Sequence, residues 1–374
     1  MKASILSSTI LVLVLVLTSC VGQSPATPAS QPPNPAAGAT KPEAEAPKAA
    51  APAKAPTLDK IKYVDSGRVA TYSVLWVGVD AGIFKENGLD VDVITAQSTA
   101  PAIQSILSGE AQMGNADTVG ALTANQKGAD LVTVMSYQKT VLYDLFVRKE
   151  IQTAQDLKGK KIAISRFGGT AENMSRVMMS KLGLDPDKDI TFIQVGGGPE
   201  RAAALLNNSV QADIASPPEP VVLAKEPSLR RLTGLADLGV VYPYFSFITT
   251  RKYLNEHRDV FKRFVKAYLE SLKYYATHKK ESIDIMSKWL NNNNQEELNY
   301  VYQSNTDESY IKPYITSDPA MFYEFAQRDI KAPITVKWDE TYDNSFVKEL
   351  DESGFIDKLF DGVNNVLREV PTHK

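Results

Sequence analysis

The sequence predicts an α/β fold arranged as two lobes. Three observations lead there. Short β-branched runs alternate with amphipathic helix patterns, which indicates βαβ units and mostly parallel sheets. One order of strand, loop and helix occurs twice, at an offset of roughly a hundred residues. Two long apolar strand patterns, Val141–Val147 and Tyr244–Thr249, separate the copies from each other and from a helical tail.

The first copy opens near Leu58 with a strand over Lys60–Val64, followed by a polar loop from Asp65 to Thr71. An apolar helix pattern runs to Lys85 and stops at Gly88-Leu89-Asp90. Val91–Ile94 is the next strand, Ala96–Pro101 a loop, and a helix with Ile103, Ile106 and Leu107 on one face leads to Ala111–Gly114. The second copy repeats this order. Lys161–Ile164 is a strand, Arg166–Thr170 a glycine-containing loop, and Asn173–Leu182 a helix ended by Gly183. Phe192–Val195 is a strand, Gly196–Pro199 a loop, and a helix around Ala202–Leu206 feeds Gln211–Ala215. A chance likeness of two α/β stretches is the alternative. The long strand patterns are expected to be crossovers, giving lobe 1 residues 58–147 and 246–374, and lobe 2 residues 148–245. After Thr250 the residues Phe261, Phe264, Val265, Tyr268, Leu269, Leu272 and Tyr275 keep the three-and-four spacing of one buried helix face. This tail is expected to pack back on lobe 1.

The chain has 374 residues and a net charge of -3, so it lacks the basic footprint that nucleic acid requires. Cys20 is its one cysteine and follows an apolar run over Thr9–Leu17, with Lys2 as a small positive n-region. Leu17-Thr18-Ser19-Cys20 has the pattern of a secreted bacterial lipoprotein: cleavage before Cys20, with lipid on its thiol. The apolar run is too short for a permanent span. An ordinary signal peptide with a chance cysteine is the alternative. Residues 1–19 are thus expected to be a lipoprotein signal peptide. Residues 20–57, rich in Ala and Pro and without an aromatic residue, are expected to be a disordered tether. Its reach would be roughly 35 Å. The protein is then extracytoplasmic and held to the bacterial cell membrane through lipid on Cys20.

In open α/β sheets, ligands bind beyond the carboxyl ends of strands, where loops lead into helix N-termini. Lobe 1 offers Ser66, Arg68 and Tyr72, then Ser98 and Thr99, then Asn115, Asp117, Thr118 and Tyr137. Lobe 2 offers Arg166, Phe167, Gly168, Gly169 and Thr170, then Gly198, then Pro217 and Glu219. Gly168-Gly169-Thr170 would let backbone N–H groups approach an anion at a helix N-terminus, or would only permit a tight turn. Arg68 and Arg166 fall in matched loops. Either suits a carboxylate, sulfonate or phosphate, and each alone is equally consistent with a surface salt bridge. Asp117 and Glu219 would meet ring N–H groups or neutralise those arginines. Enzyme chemistry finds little support. His257, His278 and His373 all lie in the tail without metal-ligand spacing, and no nucleophile elbow is present. No cofactor and no metal are expected.

Four segments carry a family resemblance: Asp80–Leu89 (DAGIFKENGL), Ile106–Gly114 (ILSGEAQMG), Asp156–Ile162 (DLKGKKI) and Ala203–Asp213 (AALLNNSVQAD). Together the chain resembles the extracytoplasmic substrate-binding proteins of ABC importers, in the group of nitrate, sulfonate, taurine and thiamine-precursor binders. Gln112 departs from the pattern, where aspartate is common, and puts local loop contacts in question. The resemblance implies a type 2 periplasmic-binding-protein fold, hinged on two crossover strands, with a helical C-terminal tail. It also implies a monomer that captures a small ligand between its lobes, an acidic one if the arginines face the cleft. Delivery would be to an ABC permease and its ATPase. A ligand sensor reporting to a membrane receptor, or a surface-anchored enzyme, is the alternative.

Overall fold

In the computed structural model the described residues are 58–363, apart from 139–141, 241, 243–244 and 316–319. The signal peptide, Cys20, the tether, Val141, Tyr244 and His373 lie outside them.

Lobe 1 is built from β1 (Asp59–Asp65), α1 (Ser73–Asp80), α2 (Ile83–Glu86), β2 (Leu89–Thr95), α3 (Thr99–Leu107), β3 (Met113–Asp117), α4 (Thr118–Gln126) and β4 (Leu131–Ser136). The chain then crosses to β5 (Asp144–Arg148), β6 (Lys160–Ile164), α5 (Thr170–Lys181), β7 (Ile190–Gln194), α6 (Gly198–Leu206), β8 (Ala212–Ala215), α7 (Glu219–Leu223) and β9 (Leu229–Gly234). It returns as β10 (Phe245–Thr250). The tail follows with α8 (Arg251–Glu256), α9 (Arg258–Thr277), α10 (Lys279–Leu290), α11 (Gln295–Glu308), α12 (Ala320–Ile330), α13 (Ser345–Glu352) and α14 (Phe355–Phe360).

Two five-stranded sheets share one plan, β2-β1-β3-β10-β4 and β7-β6-β8-β5-β9. In each, four strands run in one direction, and the strand delivered by a crossover, fourth in the order, is antiparallel to both its neighbours. Strands β3 and β4 are buried on both faces, as strands covered by helices must be. Edge strand β2 turns Leu89 and Val91 inward and Asp92 to solvent, a charge that discourages further pairing. The internal repeat extends to side chains. Gln112 accepts the Lys62 N–H at 2.7 Å and returns its own N–H to the Lys62 carbonyl; Gln211 does the same with Lys161. The residue that departs from the family pattern thus makes the same link in both halves.

Several boundaries differ from expectation for local reasons. Helix α3 starts at Thr99, inside the expected loop, because Pro101 in its first turn needs no N–H. Helix α6 starts at Gly198 with Pro199 in its first turn, and α5 at Thr170 after Gly169. Ile103 and Ile106 are buried but Leu107 is 38% exposed, since it lies about 100° further round α3 than Ile106. The first crossover is shorter than its apolar pattern. Strand β5 belongs to the second sheet, so the chain changes sheet before Asp144 rather than at 147/148.

The tail supplies much of the core of lobe 1. Phe261, Phe264, Val265, Tyr268, Leu269, Leu272 and Tyr275 of α9 are all buried, and the helix packs on α1 and α2. Tyr63 of β1 stacks on Phe264 at 6.0 Å, and Phe247 of β10 meets Phe264 and Tyr268 edge-on at 5.2 and 4.9 Å. The tail also reaches lobe 2. Helix α11 contacts α7, where Glu296 pairs with Lys225, and Arg328 of α12 donates to Asn173 of α5.

Candidate functional site

The carboxyl ends of β1 and β3 form a floor built from polar side chains. Tyr72 and Ser66 are linked through their hydroxyls at 2.9 Å, and Ser66 Oγ donates to Asn115 Oδ1 at 2.8 Å. Since Asn115 Oδ1 can only accept, Tyr72 is the donor to Ser66. Asn115 Nδ2 donates to Asp65 Oδ1 and Trp76 Nε1 to Asp65 Oδ2, both at 2.7 Å. Asp65 and Asn115 are fully buried. Burial pushes the Asp65 carboxyl up to about 7, against the pull of the Trp76 and Asn115 bonds. Tyr137 is buried among Phe245, Phe247 and Tyr268, where burial drives its hydroxyl far above the usual range.

Above this floor the lobes touch. Asp117 caps α4 by accepting the Val119 N–H at 2.7 Å, and its other oxygen accepts from Thr170 Oγ1 of α5 at 3.2 Å. Thr118, next in α4, faces Ser246 of β10 at 3.4 Å. A cavity of about 550 Å³ takes in Thr99, Asp117, Arg166, Gly168 and Thr170; another of about 350 Å³ takes in Arg68, Gly198, Pro217 and Glu219. Ser66, Tyr72, Asn115 and Tyr137 line neither and lie beneath.

The two arginines of the matched loops are in different situations. Arg68 donates to the Trp289 carbonyl at 2.9 Å and lies 5.8 Å from the centre of that indole, which stacks on Trp76. Arg166 is exposed at the wall of the larger cavity, and its guanidinium has no hydrogen bond or ion pair among the described residues. Phe167 beside it is 58% exposed. Helices α3, after Ser98, and α5, after Gly169, begin without a side-chain cap. The Gly168 N–H is taken by Glu172 at 2.6 Å. The start of α6 is occupied instead by Glu219: a Cβ on Gly198 would overlap its carboxylate, so a larger residue there would require the Glu219 side chain to move. Burial raises the Glu219 carboxyl, partly offset by Arg201 and by Ser216 Oγ at 3.1 Å. Among the described residues no cluster of His, Cys, Asp and Glu suits a metal ion, and no helix is long and apolar enough to cross a membrane.

Three residues of this region escape a reading by loops. Arg201 of α6 is 3% exposed and donates through Nε to Asp213 of β8, which is 0% exposed, at 2.8 Å. Burial pushes Asp213 up to about 6 against the Arg201 charge. Tyr143, just before β5, sits in the field of Arg201, Glu219, Asp213 and Asp117, and burial pushes it up to about 12. A signal for the pair is present in the sequence. Arg201 falls on the same helix stripe as Ala204 and Leu205, and Asp213 interrupts the apolar Ala212–Ala215 strand.

Paired sheets with exchanged strands and a cleft at the strand carboxyl ends define a two-lobed protein of the periplasmic-binding type. The chain belongs to the NMT1/THI5 like family, whose model matches residues 70–282. A Bacillus subtilis protein named "Putative aliphatic sulfonates-binding protein" is 25% identical over 78% of this chain and 88% of its own length. The formylaminopyrimidine-binding protein of Halalkalibacterium halodurans is 22% identical over 65% of this chain and 72% of its own. The periplasmic aliphatic sulphonate binding protein SsuA from Escherichia coli superposes with a TM-score of 0.60 at 15% identity, covering 83% of this chain and 97% of that one. At such identity the likeness is one of fold.

Removing one partner of the buried pair leaves an uncompensated charge. Arg201→Ala is expected to lower stability by about 3–5 kcal/mol in urea unfolding, while Arg201→Met with Asp213→Leu restores most of it. Equal midpoints for Arg201→Ala and the parent would show that the pair is not buried. The raised carboxyls also set a pH dependence. With Asp65 near 7 and Asp213 near 6 in the fold, the native state keeps protons that the unfolded chain sheds near pH 4. Stability therefore falls as pH rises from about 4 to about 7. Carboxyls lowered in the fold, such as Asp156 under the Thr153 N–H, act only at lower pH. The denaturant midpoint is expected to be higher at pH 5 than at pH 8, and Asp65→Asn to flatten part of that slope; a midpoint that climbs over this range contradicts the assignment.

Proposed function

We propose that this protein is the solute-binding component of an ABC importer, capturing a small acidic organic ligand between its lobes for delivery to a permease and its ATPase. The single observation that carries the acidic part is Arg166: a guanidinium without a partner among the described residues, on a cavity wall that also holds the uncapped starts of α3 and α5. Helix N-termini and a bidentate donor together suit a carboxylate or sulfonate. Thr170 to Asp117 is the contact that lobe closure would make, with the crossovers as hinge. The Glu219 side favours a second reading, a neutral heterocycle offering ring N–H groups to that half-buried carboxylate.

A thermal-shift screen across carboxylates, sulfonates and heterocycles would find the ligand. Calorimetry then decides between the readings. Loss of a charge-assisted bond costs about 1.5–3 kcal/mol, so Arg166→Ala is expected to weaken an acidic ligand more than tenfold. Unchanged affinity in that variant, with loss in Glu219→Gln, would establish the heterocycle instead.

The proposal includes lipid anchorage at Cys20. Cys20→Ala is expected to move the protein from the membrane to the soluble fraction, or to leave the signal uncleaved, with ligand affinity unchanged. Detergent-only extraction of a cleaved Cys20→Ala protein would refute the anchor.

A further inference from the structure

The larger cavity does not end at the cleft. Its wall continues down the outside of lobe 1 between α3 and α4, past Ile103, Leu107 and Ala124, to Lys127 just beyond the end of α4. Both helices start at the cleft, and there they nearly touch. A Cβ on Gly120 would lie 2.7 Å from the Thr99 methyl. Nine residues of α4 at about 1.5 Å each give a groove of about 13 Å. Its two ends carry cations, Arg166 and Lys127, and neither side chain has a hydrogen bond or ion pair among the described residues. Between them Ile103, Leu107 and Ala124 give an apolar stretch, with Gln104 of α3 exposed among them. Leu107 stands 38% exposed on it, and Thr123 also lines it, its Oγ1 buried without a partner among the described residues.

We propose that this groove is a second binding subsite, and that the natural ligand is a bifunctional organic anion. Its acidic head meets Arg166, an aliphatic body lies along Leu107 and Ala124, and a second anionic or acceptor group meets Lys127. The inference rests on the acidic-ligand reading above and adds length and a second charge to it. A volume of about 550 Å³ falls in the range of drug-sized sites, whereas a ligand of a few atoms would fill only the cleft end. The exposed Leu107 is accounted for as a contact, and Lys127, unpaired among the described residues, as a terminus.

The test is calorimetry with propionate, octanoate and suberate, and with ethanesulfonate, octanesulfonate and octane-1,8-disulfonate. Affinity is expected to rise about two- to fourfold for each methylene that enters the groove. The doubly charged probes should bind about fivefold tighter than the singly charged ones of equal length. Lys127→Ala, an exposed site with little bearing on folding, should abolish that fivefold difference and leave octanoate and propionate unchanged. Ala124→Phe should weaken the eight-carbon probes and spare the short ones, with its thermal melt confirming the fold. Equal affinity for short and long probes, or no effect of Lys127→Ala on suberate and the disulfonate, overturns the subsite. If Arg166→Ala still weakens propionate or ethanesulfonate in that case, the acidic-ligand reading survives alone. Binding of none of the six overturns both.

Discussion

Each sheet is completed by a strand that arrives from the other lobe's side of a crossing, and the architecture hangs on that exchange. Strand β5 separates β8 from β9, and β10 separates β3 from β4. The first sheet pairs Ser246 with both Ala116 and Ser136, so it cannot close until the chain has passed through the whole second lobe. Such non-local pairing carries a large loop-closure cost before its contacts are made. It also fixes where relative motion can occur. Two lobes joined by a pair of crossings share an axis, and the residues next to those crossings, Tyr143 and Phe245, lie at the junction.

The two halves share a backbone plan and fill it with different chemistry. Lobe 1 has a floor of hydroxyls and an amide ending on Asp65, which also holds the Trp76 indole. Lobe 2 has an arginine and a carboxylate bonded to each other below the surface. Both arrangements satisfy polar groups that would otherwise be costly to bury, and both make the strand ends rigid. Rigid walls suit a cleft whose lobes meet through few polar contacts, of which Thr170 to Asp117 is one.

Much of this was legible in the sequence because periodicity and repetition survive without coordinates. The alternation of strands and helices, the doubled order and the apolar stripe from Phe261 to Tyr275 each follow from spacing alone. Site residues were less legible, since a loop position gives proximity to the cleft but not the direction of a side chain. Arg68 and Arg166 occupy matched loops, yet the tail places Trp289 against one and nothing among the described residues against the other. Tyr72 and Tyr137 lie in the right region and are drawn inward, because each ring gains more from the aromatic cluster around Phe245 than from water. Tyr143 and Arg201 went unmarked because their importance comes from neighbours distant in sequence.

Trp76 and Trp289 lie parallel at 5.3 Å, with the Arg68 guanidinium near one ring and the Asp65 carboxylate on the other indole's N–H. Indole emission responds to nearby charge, and these two indoles lie between the cleft floor and the tail. The chain has three tryptophans, and the third, Trp338, stacks on Phe322 elsewhere. Intrinsic fluorescence is therefore weighted toward one junction of the molecule. Movement of the tail or a change in the charge of Asp65 would be visible as light, without any added dye.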